Sequence, residues 1–302
     1  MLAKFEEKEF EHAFNNQLGI IDYNSWCPGQ FLEATVGFDG AALINDPIIL
    51  QLFGPWHSLR QQGVALDPTV VRNVFGIMDA HILPPTSFRF NLFVQHKRPE
   101  YMEGNNAEEW QDWMKPYFRY KIQNEQQIVL TKIEQHLGQS ALVLYSCPAF
   151  YTKDDLWVHI QNRTIIRNTN FTEPSKLKGH HAYTFDAPGA NGRAFSEKKD
   201  IHGKTFEELV AERTKSSSPN RISKLILSAG QAIKKVFEEV SSAENQNDFI
   251  LFSNIVKKLS EKKEDIDDRT VAELIDALSH IIALRFVFGT SLTFMGADRS
   301  IK

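Results

Sequence analysis

Between Phe88 and Cys147 the sequence runs FRFNLFVQHK (88–97), then EQQIVLTKIEQHL (125–137), then SALVLYSC (140–147). The first piece is rich in Phe and Val and reads as a strand. The second has helical spacing, and Gly138 is a natural C-terminal stop. The third is a continuous apolar run closed by Pro148 and reads as a buried strand. Upstream, Phe5, Phe10, Phe14 and Leu18 recur at helical spacing among charged neighbours, which predicts a helix from Lys4 to Gly19. Gln30–Ile44 reads as extended structure. Residues 45–87 have mixed patterning and several prolines, which marks an insertion, with Pro68–Ile82 helical inside it. The order over residues 4–147 is helix, extended segments, strand, helix, strand.

Downstream the character changes. Thr152 is placed to cap a helix over Lys153–Gln161, with Asp154 and Asp155 in its first turn. Ala182–Phe185 reads as a short strand. Ser218 and Pro219 look like the cap and first position of a helix. Three helices are expected near 219–242, 247–262 and 268–288. The apolar stretch Ser279–Ala297 carries Arg285 in its middle, so it reads as a buried helix end rather than a membrane span. The expected organisation is a mixed α/β part over residues 1–200 and a helical part over 201–302, with no internal repeat.

Composition narrows the class. The 302 residues make one large domain or two small ones. At 42% hydrophobic and 24% charged, disordered and collagen-like chains are excluded, and 22 Phe supply a core. A net charge of -4 excludes a uniformly basic nucleic-acid coat, while a local basic face stays compatible with it. The two cysteines, Cys27 and Cys147, form neither a disulfide framework nor a Cys-x-x-Cys zinc pair. With a charged N-terminus lacking an apolar signal region, the expectation is a cytoplasmic protein with no membrane partner.

Serine-hydrolase elbows, His-Glu-x-x-His, phosphate loops and Gly-x-Gly-x-x-Gly are absent from the sequence. One constellation remains. Glu11 lies beside the apolar stripe of the first helix in Phe10-Glu11-x-x-Phe14. Asp39 stands between glycines in Gly37-Phe38-Asp39-Gly40. Gln95 and Lys97 alternate in Val94-Gln95-His96-Lys97-Arg98 and so share one strand face.

In these three motifs and their order, residues 4–147 resemble the αβββαβ core of the PD-(D/E)xK nuclease superfamily, the restriction-endonuclease-like fold. The wording is closest to its Mrr-like branch, in which Gln replaces the usual acidic residue to give Gln-x-Lys. The resemblance implies a Mg²⁺- or Mn²⁺-dependent endonuclease, cutting DNA in preference to RNA, in defence against foreign DNA such as that of viruses. It implies Asp39 as the central metal ligand, with the Gln95 side-chain oxygen, the His96 backbone carbonyl and Glu11 completing or supporting the shell, and Lys97 as the catalytic lysine. Glu33 competes with Glu11 for the second carboxylate. The chemistry suits these residue types. A hard cation on oxygen ligands offsets charge on the phosphate and acidifies bound water, and a lysine meets charge that develops in the transition state.

Simpler readings stand beside these. Asp39 suits a turn, Glu11 a helix surface, and Gln95 with Lys97 the solvent face of an amphipathic strand. The loop pair His180-His181 is more simply polar surface than metal-binding. Tyr117-Phe118-Arg119-Tyr120 suits base stacking or, more simply, a core. Lys198–Lys235 holds nine Lys or Arg against four Asp or Glu, so it suits a phosphate backbone or a solvated helix face. Arg98, Lys234 and Lys235 are the candidate nucleic-acid contacts. A homodimer or a partner subunit is left open. The rival to the nuclease reading is a non-catalytic interaction module on an α/β scaffold.

Overall fold

The computed structural model describes residues 1–20, 23–26, 72, 88–218, 220–240, 246–260 and 268–298. The expected segment 30–44 and, apart from residue 72, the segment 45–87 lie outside the described residues, as do Asp39 and Glu33. The chain is mixed α/β, with two five-stranded sheets and, among the described residues, eight α-helices.

The first half mixes helices and strands. It runs α1 (Glu7–Ile20), β1 (Tyr23–Trp26), β2 (Phe88–His96), β3 (Glu100–Met102), α2 (Trp110–Trp113), β4 (Tyr117–Lys121), α3 (Asn124–Leu137) and β5 (Ala141–Pro148). Then come α4 (Lys153–Gln161), β6 (Thr169–Thr172), β7 (Ala182–Phe185), β8 (Gly192–Phe195) and β9 (Lys199–Ile201). The chain continues with α5 (Phe206–Ser216), α6 (Ile222–Val240), α7 (Gln246–Ser260), α8 (Arg269–Phe288) and β10 (Thr290–Asp298). Local chemistry sets several ends. Thr152 caps α4 by accepting from the Asp155 N–H, and Thr205 with Glu208 forms a capping box on α5. Helix α6 starts later than expected, at Ile222. The Leu225 N–H bonds to the Arg221 carbonyl, so Arg221 rather than Ser218 stands at its head.

The first sheet has the order β1-β10-β2-β5-β6, the second β3-β4-β7-β8-β9. Strands β2 and β5 are parallel, and every other pairing is antiparallel. Helix α3 lies in the connection between β2 and β5, as a parallel pair requires. One departure from the sequence reading is large. The stretch 279–297 is not a single helix end: α8 stops at Phe288, and Gly289 takes the left-handed conformation at φ 68° with its N–H on the Arg285 carbonyl. Residues 290–298 then form β10, inserted between β1 and β2. So the stretch 201–302 is not wholly helical.

Apolar residues cover both faces of the first sheet. Phe10, Phe14 and Leu18 of α1, Leu156 of α4, and Phe206 and Leu209 of α5 pack with Leu92, Val94 and Leu144 on one face. Phe93, Val143 and Tyr145 on the other face pack with α3, the second sheet and helices α6 to α8. No helix among the described residues is long and apolar enough to cross a membrane.

Candidate functional site

The two faces of β2 carry different chemistry to its C-terminal end. Phe93 belongs to one core and Leu92 and Val94 to the other. By the same alternation Gln95 and Lys97 follow Phe93, and His96 follows Val94. Exposure is 2% at Gln95, 0% at His96 and 8% at Lys97, so the solvent-face reading of Gln95 and Lys97 does not hold.

On the first face, Gln95 lies between Thr290 of β10 and Tyr145 of β5. Its Oε1 accepts from the Thr290 hydroxyl at 2.8 Å, and its Nε2 donates to the His96 carbonyl at 3.2 Å. Lys97 Nζ donates to Gln126 Oε1 at 2.5 Å and lies 5.4 Å from the centre of the Tyr145 ring. Gln126, in the first turn of α3, donates through Nε2 to the Phe288 carbonyl at 2.8 Å. Gln127 beside it accepts from the Tyr145 hydroxyl at 2.8 Å. Burial pushes the Lys97 ammonium below its ordinary pKa, against the opposing pull of Glu7.

On the second face, His96 lies edge-on to the rings of Phe10 and Phe14, at 5.5 and 5.0 Å. Its Nδ1 is 2.7 Å from the Ser146 hydroxyl, and its Nε2 is buried without a hydrogen-bond partner. Burial lowers its pKa to about 4, so the ring is neutral near pH 7. Glu11 is also buried. Its Oε2 accepts from Lys8 Nζ at 2.7 Å, and its Oε1, with no hydrogen bond, faces Arg285 at 3.4 Å. Burial works against the Glu11 charge. The surroundings outweigh it, His96 first and then Lys8 and Arg285, and hold the carboxyl below its usual range.

The expected site residues are thus partly brought together. Gln95 and Lys97 share a face, as the spacing predicts, while Glu11 addresses the opposite one through His96. The α1 carboxylate that Lys97 senses is Glu7, one turn earlier, whose own pKa is raised by burial. Glu7 was legible only as the i,i+4 neighbour of Glu11 on the same helix stripe. Gln126 and Thr290 had no local signal, and Arg285 was visible as a charge inside an apolar stretch but not as the neighbour of Glu11.

Several other candidates are held by other partners, while Lys234 and Lys235 stand on the surface. The Arg98 guanidinium binds the Ala3 carbonyl through Nε and Nη2 and the Glu6 carboxylate at 2.9 Å, strapping down the N-terminal segment. Lys234 lies 3.5 Å from Asp276 on α8, and Lys235 is exposed. Tyr117 and Tyr120 are core residues, and His181 meets the Ser196 hydroxyl at 3.0 Å.

The Gln95 oxygen and the His96 carbonyl are hard oxygen donors, which fits Mg²⁺ or Mn²⁺ in chemical type, while the Glu11 Oε1 faces Arg285 on the other side of β2. Gln95 Oε1 and the His96 carbonyl each already accept a hydrogen bond. Among the described residues no three His, Cys, Asp or Glu side chains cluster as a metal site. A comparison with protein-family models, curated proteins and solved structures finds no match to the chain.

Proposed function

We propose that the chain carries a restriction-endonuclease-like core and is a Mg²⁺-dependent nuclease that hydrolyses phosphodiester bonds, of DNA in preference to RNA. The observation that carries this reading is Lys97. A buried lysine stands at the C-terminal end of a parallel strand pair, against the first turn of α3 and within electrostatic reach of Glu7. Ligands of open α/β sheets bind beyond the carboxyl ends of the strands. A helix N-terminus and a lysine both favour an anion such as a phosphate. The parallel pairing of β2 with β5, with α3 in the connection between them, supports the reading.

In this reading Asp39, the Gln95 oxygen and the His96 carbonyl would hold the metal, which when bound supplies Lewis-acid stabilisation of the phosphate and a more acidic water. Gln95 keeps its oxygen oriented through Thr290. Lys97 directs its ammonium at charge that grows on the phosphate as water attacks and the leaving oxygen departs. The Tyr145 ring and the α3 turn limit water around that ammonium and strengthen its field. A role in defence against foreign DNA belongs to the same proposal.

The test is cleavage of plasmid and linear DNA with Mg²⁺. Lys97→Ala is expected to stay folded, to bind DNA and to cut about 10²–10³-fold more slowly. Lys97→Arg is expected to rescue poorly, because a planar guanidinium does not reproduce a compact ammonium. Equal cutting by wild type and Lys97→Ala would overturn the assignment.

A further inference from the structure

We propose that Gln126 is the positioning residue of Lys97, and that the corner between α8 and β10 in turn positions Gln126. This deepens the nuclease reading and rests on it. Gln126 is 5% exposed, and both ends of its amide are used. Its oxygen takes the Lys97 ammonium at 2.5 Å and its nitrogen holds the Phe288 carbonyl at 2.8 Å. Phe288 is the last residue of α8, where carbonyls lack partners within the helix. Its carbonyl is therefore a fixed acceptor that selects which way the amide is turned. With the nitrogen committed to Phe288, the oxygen is left facing Lys97.

The same corner sets the other half of the Gln-x-Lys pair. Two residues on, the Thr290 hydroxyl donates to Gln95. Gly289 lies between them, and a Cβ there would approach Gln95 Nε2 at 3.7 Å. Residues 288–290 thus hold Lys97 through Gln126 and Gln95 directly. A long lysine side chain has several rotamers, and holding one of them is what preorganised catalysis needs. An acceptor that is neutral, rather than a carboxylate, fixes the ammonium without cancelling its charge.

The experiment reads the Lys97 ammonium and turnover separately. In ¹⁵N-lysine-labelled full-length protein, the Lys97 ammonium resonance is identified by its loss in Lys97→Arg. It is expected to exchange slowly with solvent in wild type and about tenfold faster in Gln126→Leu, which lacks the acceptor. DNA cleavage by Gln126→Leu is expected to fall about 10²-fold in kcat with KM nearly unchanged. Gln126→Glu keeps an acceptor for Lys97 but offers no N–H to Phe288 and sets a carboxylate against the ammonium, so the ammonium stays protected while kcat still falls. Unchanged Lys97 exchange and unchanged kcat in folded Gln126→Leu would overturn the proposal. Should Gln126→Leu fail to fold, Gln126→Asn, one methylene short of Lys97, serves in its place with the same expected result. If Lys97 exchange responds as stated and wild type cuts no DNA, the nuclease reading fails and the positioning role stands.

Discussion

His96 has no exposed surface, and the groups facing it are the Phe10 and Phe14 rings, Ser146 and Glu11, with Lys8 and Arg285 behind Glu11. A histidine with its pKa lowered to about 4 stays neutral in the folded chain, while the unfolded chain takes up a proton near 6.5. Between those values the unfolded state binds more protons, so stability rises with pH and falls as pH drops. The loss from pH 7 to pH 5 is about 2 kcal/mol for this group. Glu7 opposes it, because a raised carboxyl pKa favours the folded state in acid. Urea unfolding of wild type and His96→Gln at both pH values, in metal-free buffer, isolates the histidine. The variant is expected to lose clearly less stability, and parallel losses would assign the effect to other groups. At this scale the sequence was legible where period two governs. Alternation put Gln95 and Lys97 together, but nothing local showed that they turn inward. The choice between Glu7 and Glu11 was hidden for a related reason: both lie on one stripe, and only the end of β2 tells them apart.

Elements were legible where periodicity and capping agree. The helix Lys153–Gln161 and the strand Ala182–Phe185 have the bounds expected of them, and α8 ends at Phe288, as expected for the helix near 268–288. Strand β10 was missed because an apolar run that follows a buried helix looks like more helix. Only the left-handed turn at Gly289 separates the two. How helices pack was also invisible. Gly230 of α6 lies so close to α8 that an added Cβ would meet the Ala277 Cα at 2.3 Å and its Cβ at 2.4 Å. Gly230→Ala would ordinarily gain about 1 kcal/mol in helix propensity. Here the overlap forces the helices apart, and overpacking typically costs about 1–3 kcal/mol. A net destabilisation of about 1–2 kcal/mol is expected in chemical denaturation. Adding Ala277→Gly should restore little of it, since the Cα remains. A Gly230→Ala variant more stable than wild type would show that the helices separate freely.

Across the whole molecule, Ile226 of α6, Leu278 of α8 and Phe294 of β10 share a core with Phe93 and Val143 of the first sheet. A division near residue 200, inferred from a change in composition, describes the sequence pattern without describing that packing. A chain ending at Phe288 lacks β10 and leaves an edge of β2 open. Such an edge invites pairing between molecules. This truncated chain is expected to aggregate and to lose a single cooperative thermal transition, which light scattering and circular dichroism would register. Sharp, monomeric unfolding would make β10 dispensable. Its position also sets a timetable for synthesis. Gln95 and Thr290 are 195 residues apart. At about 5–20 residues per second on the ribosome, β2 waits roughly 10–40 s for its neighbour after emerging. Strand β5 arrives early and can close one side of β2, while the other stays open until residues 290–298 are made. A nascent chain is therefore most exposed to its fellows on a crowded polysome, and a chaperone that shelters β2 during that interval would raise the yield of folded protein.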